Sequence, residues 1–292
     1  VTAAKNLSPF DVNMAVDAGW TNCVAYTSVE AEEVQALVQD AIFSRGPSGV
    51  KRTGMFFGGR DMHIAMDMLK ICQDSMVPPF EISGFADPSG AFTTAAGMVA
   101  KVEKALKEIH NTDFKDKCVL ALGGTGPVGM AAALIAAKQG AKVKIMGRQK
   151  DNAQRVAELC NEKYGSNMTG IQGEAVNMLD SFLDEVDVVF ATAAAGVQVM
   201  SAEQVKLASK LKVAADVNAV PPSGIAGVGV MDDCVAIEGS ASGAVGIGAL
   251  AIGNAKYQTQ HRLLKAMCAT DKPVYYHFEH AFKMAREFVA EK

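Results

Sequence analysis

The sequence has few of the features that mark membrane proteins or nucleic-acid-binding proteins. Its longest apolar run, residues 243–255, is rich in glycine and shorter than the roughly 20 residues that cross a bilayer. The net charge of -4 at pH 7 comes without a concentrated basic patch that would attract nucleic acid or an anionic membrane. Residues 1–9 do not have the layout of a signal peptide. We therefore expect a cytoplasmic protein with no membrane or nucleic-acid partner.

Paired cysteines are also missing, because none of the six cysteines is part of a Cys-x-x-Cys spacing. In a cytoplasmic protein such thiols are usually free and mostly buried. His277 and His280 have a spacing that occurs at metal sites, but no further ligand stands at a suitable distance in the sequence. We predict that the protein uses neither a disulfide nor a metal.

Three common catalytic motifs are absent as well. The sequence contains no Tyr-x-x-x-Lys pair to protonate a carbonyl oxygen, no P-loop and no His-Glu-x-x-His zinc motif. Alcohol or ketone redox chemistry needs a general acid that the sequence does not show. Hydride loss from a carbon between two nitrogens has no such need, because it forms a delocalised cation and moves no proton. A site for that reaction has to orient donor and acceptor, exclude water and tolerate positive charge.

Of the residues that are present, 49% are apolar, which is enough for the cores of two domains. A polar connector, residues 110–117, separates two regions in which strand-like and helix-like segments alternate. We predict an α/β fold with an N-terminal α/β domain over residues 1–112 and a Rossmann domain over 113–253. The segment 254–292 is predicted to form helices that pack back on the first domain.

The second region has the alternation that is typical of a doubly wound parallel sheet, in which ligands bind beyond the carboxyl ends of the strands. Apolar runs predict its strands at residues 118–124, 141–147, 168–174, 187–196 and 212–220. The first region has a shorter strand-like run, residues 54–59, followed by a helix.

A glycine pattern follows the first strand of the second region. Gly124, Gly126 and Gly129 form the spacing Gly-x-Gly-x-x-Gly, and a helix and a second strand come next. Glycines at these positions permit a tight turn and a close approach to a pyrophosphate, which the amides of the helix N-terminus bind. The pattern predicts a dinucleotide site formed by Gly124, Thr125, Gly126, Pro127, Val128 and Gly129. The alternative is a tight strand-to-helix turn that binds nothing.

The next strand ends without the acidic residue that binds the ribose hydroxyls of NAD. Gly147 and Arg148 stand there instead. A carboxylate would repel a 2′-phosphate, whereas Gly147 leaves room for it and Arg148 can pair with it or stack on the adenine. Lys150 and Arg155 add positive charge. We predict NADP as the preferred cofactor, with NAD also possible; the alternative for Arg148 is a solvent-exposed loop cation.

Small and polar residues follow the fourth and fifth strands, where the nicotinamide end of the cofactor is expected. After the fourth strand these are Thr192, Ala193 and Gly196, and after the fifth they are Asp216 and Asn218. Asn218 is a candidate to bond the carboxamide. Asp216 is a candidate for the same site or for holding a loop.

A resemblance to a known family rests on six stretches: SPFDVNMAVDAG (8–19), QDAIFSRGP (39–47), FADPSGAFTTAAGMV (85–99), GGTGPVG (123–129), ADVNAVPPSGIAG (215–227) and GAVGIGALAIGNAKYQTQ (243–260). Together they resemble the bacterial methylene-tetrahydromethanopterin dehydrogenases of one-carbon metabolism. The resemblance implies oxidation of methylene-tetrahydromethanopterin to the methenyl form in formaldehyde oxidation, with NADP or NAD accepting the hydride. It also implies a homo-oligomer with the pterin in a cleft between the two domains.

Four candidate pterin residues lie in the first of these stretches. Asp11, Asn13 and Asp17 are candidates to bond the amide and amino edge of the pterin or to balance the developing cation, and an N-cap is the alternative role for Asp11. Phe10 is a candidate to cover the ring, and burial in the core is its alternative.

Four further candidates come from later stretches. Ser89, Phe92 and Thr93 fit a loop beside the pterin, although Ser89 and Thr93 can instead cap the helix that follows. Lys256 is a candidate to meet the anionic tail of the substrate or to position its ring. Its alternative is a solvated helix lysine.

Two other functions stay open at this point. The first is a methylene-tetrahydrofolate dehydrogenase, since that family resembles the methanopterin family in architecture. The second is a non-catalytic NADP-binding regulator on the same scaffold. The Tyr-x-x-x-Lys signature of bifunctional folate enzymes is absent, so no cyclohydrolase activity is predicted.

Overall fold

The computed structural model describes residues 1–172 and 179–291. Contacts between residues divide the chain into two compact units. Unit 1 comprises Val1–Thr93 and Tyr257–Met284, and unit 2 comprises Thr94–Lys256 and Ala285–Lys292. The domain boundaries at residues 112 and 253 stay a prediction.

Unit 1 is built around a parallel sheet of three strands in the order β1-β2-β10. The strands are β1 (Gly54–Phe57), β2 (Ser83–Ala86) and β10 (Tyr275–Tyr276). The helices that lie wholly in this unit are α1 (Pro9–Asp17), α2 (Val34–Phe43), α3 (Pro47–Val50) and α4 (Met62–Asp74). Three longer helices have residues in both units: α5 (Ala91–Glu108), α9 (Ala249–Ala269) and α10 (Phe278–Ala290).

The core of unit 1 follows from the apolar pattern of its helices. The side chain of Asp61 caps α4 by accepting hydrogen bonds from the amides of His63 and Ile64. Met62 and Met68 on this helix are fully buried in the core. The helix is therefore anchored at its start and packed along one face.

The C-terminal segment packs on the N-terminal region within unit 1, as predicted. The indole Nε1 of Trp20 donates to the carbonyl oxygen of Leu264 at 3.1 Å. The rings of Phe92 and Phe278 make an edge contact with centroids 5.6 Å apart. Residues more than 180 positions apart in the sequence thus share one core.

Unit 2 contains a sheet of seven strands in the order β5-β4-β3-β6-β7-β9-β8. The strands are β3 (Cys118–Leu122), β4 (Lys142–Gly147), β5 (Thr169–Gln172), β6 (Val188–Ala191), β7 (Val213–Asp216), β8 (Asp233–Ala236) and β9 (Val245–Ile247). The helices between them are α6 (Pro127–Lys138), α7 (Lys150–Tyr164) and α8 (Ala202–Leu207). All neighbouring pairs are parallel except β8 with β9. The prediction of a doubly wound, Rossmann-type sheet is confirmed.

The direction of winding reverses between β3 and β6. From β3 the chain proceeds outward to β4 and β5, and it then returns to the other side of β3 to form β6, β7 and β9. Ligands of such sheets bind beyond the carboxyl ends of the strands at this reversal. The glycine-rich turn and the loops after β6 and β7 all start from that end.

Some predicted strands are longer than the observed ones. In the predicted runs 187–196 and 212–220, the observed strands end at Ala191 and Asp216. The small residues beyond them form loops. Of the predicted strand 168–174, Thr169–Gln172 is observed, and residues 173 and 174 lie outside the described part of the chain. Among the described residues no helix is both long and apolar enough to span a membrane.

Candidate functional site

Backbone hydrogen bonds close the glycine-rich turn between β3 and α6. The amide of Gly124 donates to the carbonyl oxygen of Met146, at the end of β4, at 3.1 Å. The amide of Gly126 donates to the carbonyl oxygen of Gly123 at 3.0 Å. Gly123 has a φ of 78°, in the left-handed region that favours glycine. The turn is thereby fixed against β4, and α6 begins directly after it at Pro127.

The turn is packed tightly on one side and open on the other. An ideal Cβ on Gly129 would lie 2.6 Å from both the carbonyl oxygen of Gly123 and Oγ1 of Thr192. On Gly126 the nearest atom among the described residues would be the carbonyl oxygen of Gly123, at 3.5 Å. A pyrophosphate needs this open approach, and the N-terminal amides of α6 would bind it. These residues therefore fit a dinucleotide.

The remaining residues of the turn are Thr125, Pro127 and Val128, all partly exposed. Thr125 packs over Gly147, since an ideal Cβ on Gly147 would lie 2.8 Å from Cγ2 of Thr125 and 3.3 Å from Cβ of Ala153. The sequence predicts that Gly147 leaves room for a 2′-phosphate. In the structure the space next to its Cα is filled by protein, so the missing side chain has a packing reason.

Three cations follow the end of β4 in the chain, and all are exposed. The guanidinium of Arg155 donates to Oδ1 of Asn152 at 2.9 Å. Arg148 and Lys150 form no ion pair with any residue of 1–172 or 179–291. No described carboxylate therefore neutralises these two cations. Both stay available to pair with an anionic ligand.

The loop after β6 meets the glycine-rich turn. The amide and Oγ1 of Thr192 both donate to the carbonyl oxygen of Leu122, at 2.8 and 3.0 Å. The amide nitrogen of Ala193 would lie 2.6 Å from an ideal Cβ on Gly123. The structure thus brings Thr192 and Ala193 together with the turn.

Asn218 joins the loop after β6 to the loop after β7. Its Oδ1 accepts hydrogen bonds from the amides of Gly196 at 3.1 Å and Val220 at 3.0 Å. Its Nδ2 donates to the carbonyl oxygen of Pro222 at 2.8 Å. The sequence predicts that Asn218 binds the carboxamide of nicotinamide, but its side-chain oxygen is occupied by two protein donors. These bonds hold the two loops together, and a contact of Asn218 with the carboxamide stays a prediction.

Asp216 is the anchor of the loop after β7. It is 2% exposed, and its carboxylate accepts hydrogen bonds from the amides of Asn218 at 2.9 Å and Ile225 at 3.1 Å. Burial raises the pKa of Asp216, while hydrogen bonds from backbone amides oppose that rise. These bonds hold the loop after β7, and a part for Asp216 in cofactor binding stays a prediction.

Four of the predicted pterin residues lie on α1 in unit 1. Asp11 is buried in the first turn rather than at the cap, and its Oδ1 accepts a hydrogen bond from Nε2 of Gln260 at 2.8 Å. It also lines a cavity of about 510 Å³ beside β1. Asn13 and Asp17 are exposed. Phe10 is 43% exposed, so the alternative that it is a core residue is wrong.

The loop after β2 is held by Asp87, a residue that the sequence does not mark. Its buried carboxylate accepts hydrogen bonds from the amides of Phe92 and Thr93, at 2.9 and 3.2 Å, and from Oγ1 of Thr93 at 2.6 Å. Phe92 and Thr93 are fully buried. Ser89 is exposed and donates through Oγ to the carbonyl oxygen of Gly59 at 2.6 Å. Of these three candidates only Ser89 has an exposed side chain.

Lys256 and Gln260 lie one turn apart on α9. Lys256 belongs to unit 2, where its amide nitrogen would lie 3.0 Å from an ideal Cβ on Gly97. Gln260 belongs to unit 1 and was missed, because its bond to Asp11 joins residues 249 positions apart. In the sequence, Gln260 and Asp11 are connected only in that each lies in a family-like stretch.

Two family models match the chain. One is described as methylene-tetrahydromethanopterin dehydrogenase, N-terminal, and matches residues 9–89. The other is described as shikimate / quinate 5-dehydrogenase and matches residues 103–234. The first lies within unit 1 and the second lies within unit 2.

Two relatives from Methylorubrum extorquens match over nearly the whole chain. The NAD(P)-dependent methylenetetrahydromethanopterin dehydrogenase is 41% identical over 288 residues, which are 98% of this chain and 96% of the relative. The bifunctional protein MdtA is 31% identical over 280 residues, which are 96% of this chain and 94% of the relative.

Among solved structures, the quinate dehydrogenase of Corynebacterium glutamicum in complex with NAD matches with a TM-score of 0.44 and 16% identity, over 68% of this chain and 62% of that one. An identity of 41% over 98% of the residues is sufficient to assign a family. The chain belongs to the family of the NAD(P)-dependent methylenetetrahydromethanopterin dehydrogenases.

Proposed function

We propose that the protein is an enzyme that oxidises methylene-tetrahydromethanopterin to the methenyl form and transfers the hydride to NADP or NAD. The observation that carries this proposal is the 41% identity over 98% of the chain to a relative named for this substrate and cofactor. The open glycine-rich turn of unit 2 supports the nucleotide part, since it has the shape that a pyrophosphate requires.

The proposed reaction does not require the protein to transfer a proton in the chemical step. The methylene carbon lies between two nitrogens, so loss of hydride leaves a cation that both nitrogens stabilise. Bound NADP or NAD supplies the carbon that accepts the hydride. The residues of the chain then have to hold donor and acceptor in register and keep water out.

For the nicotinamide end we propose the loops after β6 and β7. Thr192 and Ala193 lie beside the turn, and Asn218 fixes Gly196 relative to the second loop. Asp216 holds that second loop from within the sheet. In this proposal Asn218 and Asp216 position the nicotinamide pocket, and Thr192 and Ala193 line it.

For the pterin we propose the exposed polar side chains of unit 1. Asn13, Asp17 and Ser89 are accessible to a substrate. The carboxylate of Asp11 is buried, and its proposed contribution is the negative field that balances the developing cation. Phe10 is proposed to cover the ring.

Two buried residues and one lysine complete the proposal. Phe92 and Thr93 are proposed to act through the shape of the loop that Asp87 holds. Lys256 is proposed to meet the anionic tail of the substrate. These roles rest on the family stretches, and those of Asn13, Asp17, Ser89 and Phe10 rest also on the exposure of their side chains.

Arg148 is expected to set the preference for NADP. Replacing it by alanine removes a charged partner of the 2′-phosphate, which should lower kcat/KM for NADP by about 1.5–3 kcal/mol, a factor of roughly 10 to 150, and leave NAD almost unaffected. The measurement is the ratio of kcat/KM for the two nucleotides. Arg52→Ala, which removes an exposed arginine of unit 1, is the control. An unchanged ratio in Arg148→Ala would rule out the assignment.

The proposed reaction is tested by a spectrophotometric assay with each carrier and each nucleotide. We expect methenyl formation from methylene-tetrahydromethanopterin with NADP, and slower formation with NAD. Turnover of methylene-tetrahydrofolate alone would reassign the substrate. Tight NADP binding without turnover of either carrier would indicate a regulator instead.

A cytoplasmic location, a homo-oligomeric state and a role in formaldehyde oxidation are the finer parts of the proposal. They rest on the composition of the chain and on the family stretches. Light scattering of the purified protein tests the oligomeric part, where a single monomeric mass would contradict it.

A further inference from the structure

The end of β4 and the glycine-rich turn touch at one pair of residues. Gly147 is the last residue of β4 and is buried, and Thr125 stands over it. An ideal Cβ on Gly147 would lie 2.8 Å from Cγ2 and 3.6 Å from Oγ1 of Thr125. Cβ of Ala153 on α7 would lie 3.3 Å away on another side. A side chain at 147 therefore has no space while Thr125 keeps its present conformation.

A rotation of Thr125 gives only limited relief. Its Cβ carries two heavy atoms, which occupy two of the three staggered positions in every rotamer. Two of the three rotamers place an atom in the position that is 2.8 Å from the added Cβ. The third moves the methyl to the position that Oγ1 now holds, 3.6 Å from the added Cβ, so a side chain at 147 is compatible with only this one rotamer of Thr125.

Position 147 is also where an acid would stand in an NAD-specific site. The end of the second strand of a Rossmann domain is the place of the carboxylate that binds the ribose hydroxyls. An aspartate at 147 would begin with a Cβ in the space that Thr125 fills. The carboxylate is therefore absent from the sequence, and the present rotamer of Thr125 also disfavours it.

We propose that Thr125 and Gly147 form a coupled pair that determines cofactor specificity, in which the γ-methyl of Thr125 keeps position 147 free of the carboxylate that would strengthen NAD binding. The inference rests on the proposed use of NADP, and it adds Thr125 as a specificity residue. In this arrangement a side chain at 147 is accommodated without loss of stability only when Thr125 is also changed. Arg148 retains its separate proposed contact with the 2′-phosphate.

A cycle of four proteins tests the coupling without requiring activity. The proteins are the wild type, Gly147→Ala, Thr125→Ala and the double variant, and the readout is the melting temperature of the full chain. Gly147→Ala alone should lower Tm by about 2–6 °C, because the added methyl is forced against Thr125. In the Thr125→Ala background the same change should lower Tm by at most about 1 °C. Equal shifts in both backgrounds would overturn the proposal.

Two controls separate shape from other effects. Thr125→Val keeps both γ atoms and removes the hydroxyl, so Gly147→Ala should cost as much in that background as in the wild type. Gly253→Ala adds a methyl where no described atom lies within 4 Å apart from its chain neighbours and the backbone of its own helix, so it should not lower Tm. Rescue of Gly147→Ala by valine would contradict the steric argument.

The specificity itself is measured by calorimetric binding of NADP and NAD. We expect Gly147→Asp to bind both nucleotides weakly, and Thr125→Ala/Gly147→Asp to bind NAD more tightly than NADP by roughly tenfold. If Gly147→Asp alone binds NAD more tightly than NADP, the proposed coupling between positions 125 and 147 is contradicted.

These outcomes are distinct from failure of the proposed reaction. If the wild type turns over neither pterin but the Tm cycle is non-additive, the reaction is wrong and the coupled pair stands. If the wild type is active and the cycle is additive, only the coupled pair fails.

Discussion

Replacement of Gly129 by alanine should abolish measurable NADP binding and lower the free energy of unfolding by about 3 kcal/mol. The added Cβ would lie 2.6 Å from the carbonyl oxygen of Gly123 and 2.7 Å from Cα of Gly124. Both are backbone atoms of the turn, so relief requires movement of the turn itself. Chemical denaturation and calorimetric NADP binding measure the two effects.

Gly126→Ala is the matched control for this change. Gly126 has a φ of −82°, which alanine adopts without strain, and the nearest described atom to its added Cβ would be 3.5 Å away. Stability should stay within about 0.5 kcal/mol of the wild type. NADP binding should still weaken roughly tenfold or more, because the methyl stands where the pyrophosphate approaches. Normal stability and normal affinity in Gly129→Ala would contradict the observed packing of the turn.

Replacement of Asp216 by alanine should lower the free energy of unfolding by about 2–4 kcal/mol and reduce kcat with NADP at least about tenfold. The amides of Asn218 and Ile225 would lose their acceptor. With its anchor lost, the loop after β7 should no longer hold Asn218 against Gly196. Denaturation and steady-state kinetics at saturating substrate report the two effects.

Asp233→Ala is the matched control, since Asp233 is an exposed aspartate of unit 2 that pairs with Lys101. Its loss should cost about 0–1 kcal/mol and leave kcat unchanged. A stability loss no larger in Asp216→Ala than in this control would show that the buried carboxylate does not hold the loop.

The pKa of Asp216 adds a pH dependence with a defined sign. Burial raises the pKa of the folded state above the ordinary value of 3.8, so the folded protein binds the proton more tightly than the unfolded chain. The stabilisation from this protonation is fully present below the unfolded pKa and is lost as pH rises through the folded pKa. The difference in stability between the wild type and Asp216→Asn should therefore fall with rising pH in that window.

The nucleotide half of the molecule was largely predictable because its signals are local. The turn at Gly124 to Gly129 is predicted between an apolar strand and a helix, and the structure places it between β3 (Cys118–Leu122) and α6 (Pro127–Lys138). The alternation of elements also predicted the doubly wound parallel sheet that is observed. Each of these assignments depends only on the pattern of residues within a short segment of the chain.

The contacts between distant residues were not predictable in the same way. The bond from Gln260 to Asp11 and the pairing of Tyr275 with Gly84 join segments far apart in the chain, and β10 has only two residues. No periodicity marks such a short strand. The packing of Thr125 over Gly147 likewise depends on how the turn returns to β4.

Side-chain roles at the loops were ambiguous for a related reason. Asp216 and Asn218 are polar residues at the end of a strand and just beyond it. A polar side chain at such a position is equally compatible with a contact to a ligand and with a contact to a loop. The three-dimensional arrangement decides, because the partners of Asn218 lie in two different loops. The sequence therefore could not choose between these two roles, and a part for either residue in cofactor binding stays a prediction.

The most direct test of hydride transfer uses methylene-tetrahydromethanopterin that carries two deuterium atoms on its methylene carbon. The purified protein is mixed with this substrate and NADP, and the reduced nucleotide is examined by mass spectrometry. We predict one deuterium in the reduced nucleotide for each methenyl group formed. Methenyl formation with no deuterium in the nucleotide, or no methenyl formation at all, would contradict the proposed reaction.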